Sequence, residues 1–263
     1  MKRISIKTCY IEVNRIDSEG FVIEGDLDNT VKVLDVYDNK EIKFLPEKIA
    51  EKFPALEGYN VCYCAISEVK EKHFKNLQKL KILILESNEI NSIASNSFKD
   101  LIKLERLYLK DNKIKVLEPK LLGSLKNLLK ISVEANRIEE LDENIFQNAT
   151  NLKIIDVENN NLTSIPNNLF KNNLKLNSIY LKNNRIESIS SSTFDHLPNL
   201  FFVTLEKNVC INQLYFDKPA LSDIESKYWL VLLDHGEISD IKRDLRASEC
   251  TTLESTQVKW QML

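Results

Sequence analysis

Apolar residues recur along the chain in a short alternating pattern that returns at a fixed long interval. In one copy, Leu80, Leu83 and Leu85 are followed by Asn88, which reads L-x-x-L-x-L-x-x-N. The pattern returns with its asparagine at intervals of 24 residues, at Asn88, Asn112, Asn136, Asn160, Asn184 and Asn208. Because alternate side chains of a strand point to opposite faces, each copy predicts one short strand that buries its leucines.

Further units extend the repeat upstream. Stepping back by 24 residues places Cys64 in the asparagine position, and a looser unit ends at Asn39. A large apolar residue also stands ten positions after each asparagine position, at Phe74, Phe98, Leu122, Phe146, Phe170 and Phe194. A single unit cannot bury its own apolar edge, so the units are expected to stack into a solenoid with a parallel sheet.

The asparagine has a separate predicted task. It follows the strand where the chain turns inward, and its amide both donates and accepts hydrogen bonds. Buried backbone groups need such partners. The sequence therefore predicts a buried ladder formed by Cys64, Asn88, Asn112, Asn136, Asn160, Asn184 and Asn208.

The two ends of a solenoid need caps. Strand-like runs at 4–13 and 21–24 predict an N-terminal β-hairpin cap over residues 1–30. The repeat itself covers 31–209, and residues 210–263 form a predicted C-terminal cap. Leu221, Ile224, Tyr228 and Leu232 have helical spacing, which predicts a helix in that cap.

The repeat resembles the 24-residue typical class of leucine-rich repeat, as found in secreted repeat proteins and in Toll-like receptor ectodomains. The resemblance covers about two thirds of the chain. It implies an α/β-type solenoid, a short horseshoe of about eight repeats with a concave parallel sheet. It also implies a cysteine-flanked C-terminal cap with one disulfide, Cys210–Cys250, whereas the fuller family pattern has four cysteines.

The other cysteines leave alternatives open. A bridge between Cys9 and Cys62 is one, and five free thiols in a cytosolic protein is another. A metal site at Cys62 and Cys64 is not expected, because strand alternation sends the two side chains apart. Two N-x-[ST] sequons, at Asn148 and Asn161, are glycosylation candidates but weak evidence for secretion.

Composition removes several classes of function. The 36 basic and 39 acidic residues are interleaved and give a net charge of −3, which argues against nucleic-acid and anionic-membrane partners. The apolar runs are too short to span a bilayer. No apolar leader follows the basic start, so the expected alternatives are a cytosolic protein or one whose leader is missing. The five glycines form neither of the common nucleotide-binding motifs, and no cofactor is expected.

The outward strand positions are the expected ligand-binding face. Aligning the repeats brings together two apolar-aromatic groups with a charged strip between them. The candidate residues are Ile82, Ile84, Arg106, Tyr108, Lys110, Glu134, Asp156, Glu158, Tyr180 and Phe202. Exposed aromatic residues ringed by charge are typical of protein-binding hot spots.

No motif of nucleophilic or metal-assisted catalysis occurs, so an enzyme is not expected. Two hypotheses remain. In the first, the chain is an extracellular recognition module that binds a protein or glycoconjugate in adhesion, signalling or innate immunity. In the second, it is an intracellular adaptor or effector that docks other proteins on the same scaffold.

Overall fold

A parallel sheet organises the molecule. The computed structural model describes residues 8–10, 30–190, 193–209 and 230–232. In this part of the chain the strands are β1 Thr8–Tyr10, β2 Val33–Tyr37, β3 Gly58–Cys62, β4 Glu68–Val69, β5 Ile82–Ile84, β6 Ser92–Ile93, β7 Arg106–Tyr108, β8 Lys130–Ser132, β9 Ile154–Asp156, β10 Ser178–Tyr180, β11 Phe202–Thr204 and β12 Leu230–Leu232. One four-residue helix, α1 (Ile49–Lys52), and one 3-10 turn, Glu71–His73, lie between them.

Ten of these strands form one sheet in the order β1-β2-β3-β5-β7-β8-β9-β10-β11-β12, while β4 and β6 pair separately. From β5 to β11 the register advances by one repeat per strand, so that Leu83 pairs with Leu107 and Leu107 with Ile131. These central positions point inward and are at most 2% exposed. The solenoid predicted from the 24-residue repeat is therefore confirmed.

The asparagines join successive turns of the solenoid. The Nδ2 group of Asn136 donates to the carbonyl oxygens of Leu109, Val133 and Glu134 at 3.0 to 3.1 Å. Its Oδ1 accepts from the backbone N–H of Ile114 at 3.0 Å. Asn88, Asn112, Asn160, Asn184 and Asn208 make corresponding bonds.

Cys64 fills the same position with less bonding capacity. Its thiol donates to the carbonyl oxygen of Cys62 at 3.4 Å. The thiol has no counterpart to the amide's three donor contacts, so the ladder is weakest at this turn.

Eight strands of the main sheet, β2, β3, β5 and β7 to β11, are each followed by a residue in the left-handed conformation. The residue just before the ladder position has a positive φ of 52° to 57° in every described repeat, at Asp38, Tyr63, Ser87, Asp111, Ala135, Asn159, Asn183 and Lys207. Asp and Asn tolerate this conformation better than other non-glycine residues. Four of the eight residues are Asp or Asn, and Tyr63 is the one aromatic residue among the other four.

Phenylalanines fill the opposite side of the core. Phe74 contacts Phe98 at a ring-centroid distance of 5.7 Å, and Phe146 stacks on Phe170 at 6.3 Å. Leu122 interrupts the two groups and is itself buried. This layer of side chains covers the side of the core that lies opposite the strands.

At both ends of the main sheet an additional strand pairs with the repeat strands. Thr8–Tyr10, expected within the N-terminal hairpin, lies parallel to β2 and extends the main sheet. Leu230–Leu232, placed in a predicted helix, is a strand that pairs in parallel with β11. In both cases an exposed sheet edge offers unpaired backbone groups that an added strand satisfies. Residues 21–24 and 219–229, Cys210 and Cys250 lie outside the described residues, so the caps and the Cys210–Cys250 bridge stay predictions.

Cys62 and Cys64 are buried free thiols. The thiol of Cys62 donates to Oδ1 of Asn60 at 2.7 Å, and burial raises its pKa to about 12. The Cys9–Cys62 bridge considered from the sequence is therefore absent from the structure.

Candidate ligand-binding face

The open side of the sheet presents three columns of side chains, which we call the concave face. The columns are Val33, Gly58, Ile82, Arg106, Lys130, Ile154, Ser178 and Phe202; Asp35, Asn60, Ile84, Tyr108, Ser132, Asp156, Tyr180 and Thr204; and Tyr37, Cys62, Glu86, Lys110, Glu134, Glu158, Lys182 and Glu206. Because the strands are in register, side chains of one column lie about 4.8 Å apart. All ten residues predicted for ligand binding lie on this face, and each is partly or fully accessible.

The first predicted apolar group is Ile82, Ile84 and Tyr108 on β5 and β7. Both isoleucines are partly exposed beside Tyr108. The ammonium of Lys130 lies 5.3 Å from the centre of the Tyr108 ring, a cation–π contact that covers part of it. Lys130 is not among the residues predicted from the sequence for this face.

A carboxylate strip occupies the middle of the face. Glu134 forms an ion pair with Lys110 at 2.7 Å and accepts from Nδ2 of Asn159 at 3.2 Å. Asp156 accepts from the hydroxyl of Ser132 at 3.0 Å and from the backbone N–H of Glu158 at 3.2 Å. In the strip predicted from the sequence, Glu134 is paired with a lysine, whereas Asp156 is bonded to neutral donors.

Burial raises the pKa of Asp156, and the nearby negative charge of Glu134 adds to the effect. The pKa of Glu158 is also raised, first by burial and then by Asp156 and Glu134. Glu86, which sequence reasoning missed, has a pKa raised in the same way by burial. Partial desolvation of this surface therefore makes the charged forms of these carboxylates less favourable than they are in water.

The second predicted group is the aromatic pair Tyr180 and Phe202. Their ring centroids are 5.2 Å apart and the ring planes are inclined by 54°. Glu158 reaches across the intervening strand β10 to accept from the hydroxyl of Thr204 at 2.7 Å. This long reach was not predictable from spacing, because it depends on the side-chain rotamer.

Another aromatic pair lies near the N-terminal end of the face. Tyr37 and Tyr63 have ring centroids 5.0 Å apart and are 61% and 44% exposed. Neither residue was selected from the sequence. The signal that could have indicated them is the unusual aromatic residue at the left-handed position of Tyr63.

The two sequons lie off the concave face. Asn148 is exposed, while Asn161 is partly buried directly after the ladder residue Asn160. Accessibility therefore favours Asn148 as the acceptor of a glycan, and glycosylation at either residue stays a prediction.

No cluster of three or more histidine, cysteine or acidic residues able to hold a metal ion occurs among the described residues. His73 is buried and accepts from the backbone N–H of Lys70, while His196 is exposed in another repeat. No helix in the described ranges is long and apolar enough to cross a membrane.

Comparison with known proteins places the repeat in context. A family model described as leucine rich repeat matches residues 54–114, 102–158 and 150–209. Comparison with curated proteins gives no match.

Solved structures share the fold over much of this chain. TLR13 in its complex with ssRNA13 has 26% identity and a TM-score of 0.68, covering 79% of this chain and 29% of that one. Drosophila Toll in complex with Spatzle has 22% identity and a TM-score of 0.65, covering 78% and 32%. The LRIM1/APL1C complex has 21% identity and a TM-score of 0.58, covering 68% and 33%. The chain spans about a third of the length of these proteins.

Proposed function

Because the chain belongs to the leucine-rich repeat family, with matches that span residues 54–209, we propose that it is a non-catalytic recognition module. Its concave face binds a protein or glycoconjugate ligand outside the cell. Its place is in adhesion, signalling or innate immunity.

One observation carries this proposal. The concave face combines partly exposed aromatic rings with half-buried carboxylates, although its inward-facing neighbours are buried as an ordinary core. Packing requires only the inward residues to be apolar, so aromatics on the open side add nothing to the core. Partly exposed aromatic residues beside charged groups have the chemistry of a binding surface.

The structural neighbours support a role in binding. The structures of TLR13, Toll and LRIM1/APL1C are all of complexes, and the Toll–Spatzle complex is a molecular hub in Drosophila development and innate immunity. The TLR13 structure contains ssRNA, so the comparisons do not support the exclusion of nucleic acid expected from net charge. On this face Asp156 and Glu158 oppose phosphate, whereas Arg106 and Lys130 attract it. Single-stranded RNA therefore belongs in the test.

The binding test compares two matched double variants. The purified chain is screened against secreted proteins, receptor ectodomains, glycans and single-stranded RNA, and each binder is measured again with Tyr108→Ala/Tyr180→Ala. We expect that variant to lose binding while retaining the fold by circular dichroism. The control Ile102→Ala/Leu174→Ala removes exposed apolar side chains off the sheet and should leave affinity unchanged. Full affinity in the concave variant would place the site elsewhere.

The alternative function, an intracellular adaptor, predicts reduced cysteines instead of a disulfide. A peptide map of natively produced protein, run with and without reductant, would detect Cys210 joined to Cys250. A bridge favours the extracellular function, since such bonds persist in oxidising compartments. Free thiols at both positions favour the adaptor and direct the search to cytosolic partners.

A further inference from the structure

The C-terminal end of the concave face carries a compact group that we call the Tyr180 corner, consisting of Asp156, Glu158, Tyr180 and Phe202. Tyr180 and Phe202 lie on adjacent strands, with their rings in tilted contact at 5.2 Å. Both side chains are partly exposed on the open face of the sheet. The ring pair therefore offers an apolar contact surface to a ligand.

Two carboxylates flank this aromatic pair. Asp156 is the register partner of Tyr180 on the neighbouring strand β9. Glu158, two residues after the end of β9, extends across β10 to the hydroxyl of Thr204 on β11, at 2.7 Å, so its carboxylate lies on the same side as the rings. Acid groups and rings thus converge across three adjacent strands.

The two carboxylates lack close cationic partners. Among the described residues, no lysine, arginine or histidine nitrogen forms an ion pair with Asp156 or Glu158, while the nearby Glu134 is paired with Lys110 at 2.7 Å. Lys130 lies over Tyr108, and Lys182, whose charge partly opposes the raised pKa of Glu158, forms no ion pair with it. The bonds they do accept come from hydroxyls and a backbone N–H. A carboxylate has about four lone-pair sites, so both retain acceptor capacity.

We propose that the Tyr180 corner receives a cationic side chain, preferentially arginine, from a protein partner. A guanidinium stacks on aromatic rings and donates two parallel hydrogen bonds to a carboxylate, whereas a lysine ammonium does neither with the same geometry. The charge complementarity excludes a phosphate group at this corner. The inference rests on the proposed function, because it names the ligand chemistry for part of the concave face.

The raised pKa values of Asp156 and Glu158 agree with this assignment. Each is raised first by burial, and the positive charges of Lys130 near Asp156 and Lys182 near Glu158 offset this only in part. An incoming guanidinium supplies a further positive charge. Binding should consequently weaken as added salt screens the interaction.

The test uses a synthetic array of peptides with a fixed central residue and randomised apolar or polar flanks. The central residue is arginine, lysine, or citrulline, which is a neutral isostere of arginine. We expect the chain to select arginine peptides. It should bind their citrulline versions about tenfold more weakly, in keeping with the strength of charge-assisted pairs. Failure to select arginine, or equal binding of citrulline peptides, would overturn the proposal.

Variants locate the selection on the molecule. Asp156→Asn and Glu158→Gln should each abolish the preference for arginine over citrulline, while Glu140→Gln, an exposed acid off the sheet, should keep it. Tyr180→Leu should reduce affinity for arginine peptides by losing the stacking contact. A preference that survives both acid variants would refute the assignment. Peptide binding that ignores charge but is lost in Tyr108→Ala/Tyr180→Ala would refute only this inference and leave the concave site standing.

Discussion

Asn136 illustrates how a single side chain joins two successive turns of the solenoid. The carbonyl oxygens of Leu109 and Val133 each accept from two ladder asparagines, so loss of one amide leaves them partnered. The backbone N–H of the buried Ile114 donates to Oδ1 of Asn136, which is its acceptor among the described residues. The cost of removing the amide therefore falls mainly on that one N–H group.

We expect Asn136→Ala to lower the free energy of unfolding by about 1–3 kcal/mol, the usual penalty for a stranded buried donor. Urea denaturation followed by circular dichroism measures the change. Asn127→Ala is the matched control, because Asn127 is exposed and donates one bond to the carbonyl oxygen of Ile102. Its effect should stay within about 0.5 kcal/mol. Equal effects of the two variants would contradict the role assigned to the ladder.

Asn173 is a polar residue at an inward position that is apolar in the neighbouring repeats. Its counterparts are Leu77, Leu101, Leu125, Ala149 and Leu197. The amide donates to the carbonyl oxygens of Phe146 and Ala149, but its buried Oδ1 has no hydrogen-bond partner. Both carbonyls also accept from a backbone N–H, so neither depends on the amide alone.

Asn173→Leu is therefore predicted to raise the free energy of unfolding by about 0.5–2 kcal/mol, as restoration of a repeat's usual residue commonly does. The variant removes an unsatisfied buried acceptor and places an apolar side chain over the small Ala149. The thermal midpoint reports the gain. A lower midpoint would mean that the two donor bonds outweigh the orphaned oxygen.

The residues most constrained by packing were the ones predictable from sequence. The inward leucines and the asparagines recur because every turn needs the same buried contacts, and this periodicity places them directly. The position of Lys130 over Tyr108 and the reach of Glu158 to Thr204 were not predictable. They depend on rotamers of variable surface residues, for which no repeat supplies a template.

At the scale of an element, the end of β9 brings Asp156, and two residues later Glu158, onto the open face. Burial raises the pKa of Asp156 there, opposed in part by Lys130 and reinforced by Glu134. The folded protein thus holds this proton to a higher pH than the unfolded chain, whose aspartate pKa is about 3.9. The contribution of Asp156 to the free energy of unfolding is therefore fully present at a pH below its unfolded pKa. It is lost as the pH rises through the raised pKa of the folded protein.

Asp156→Asn should remove the loss of stability that ionisation of Asp156 causes as the pH rises. The variant is therefore expected to be more stable than the parent at neutral pH and similar to it in acid. Urea unfolding between about pH 3 and pH 7 covers the aspartate titration. Glu57→Gln is a control of opposite sign. Hydrogen bonds from Lys32 and Lys81 lower the pKa of Glu57 to about 2, so its contribution is present at neutral pH and lost on acidification. An unchanged pH profile in Asp156→Asn would contradict the assigned cause.

The end strands show what periodicity leaves open at this scale. Thr8–Tyr10 and Leu230–Leu232 lie outside the regular repeat, yet each pairs in parallel with the nearest repeat strand. Their pairing is set by the edge of the sheet they meet, which local spacing does not encode. A helical spacing of apolar residues therefore misassigned Leu232.

At the scale of the whole molecule, each turn of the solenoid contacts mainly its neighbours. Strand β8 is flanked by β7 and β9, and β2 is flanked by β1 and β3. In such an array, stability is a sum of unit and interface contributions. A defect near one end can open locally, whereas a central defect interrupts the coupling between two halves.

Two equivalent core truncations test this nearest-neighbour behaviour. Ile131 in β8 and Leu34 in β2 are at most 1% exposed, and truncation to alanine costs about 2–5 kcal/mol at such sites. Native-state hydrogen exchange should show that Ile131→Ala lowers amide protection from β5 to β11. Leu34→Ala should lower it in β2 and β3 while β9 and β10 keep theirs, since sub-global opening requires only the outer turns to separate. An equal loss at β9 and β10 in Leu34→Ala would show instead that the solenoid unfolds as one cooperative unit. The concave face could then not respond to a ligand one repeat at a time.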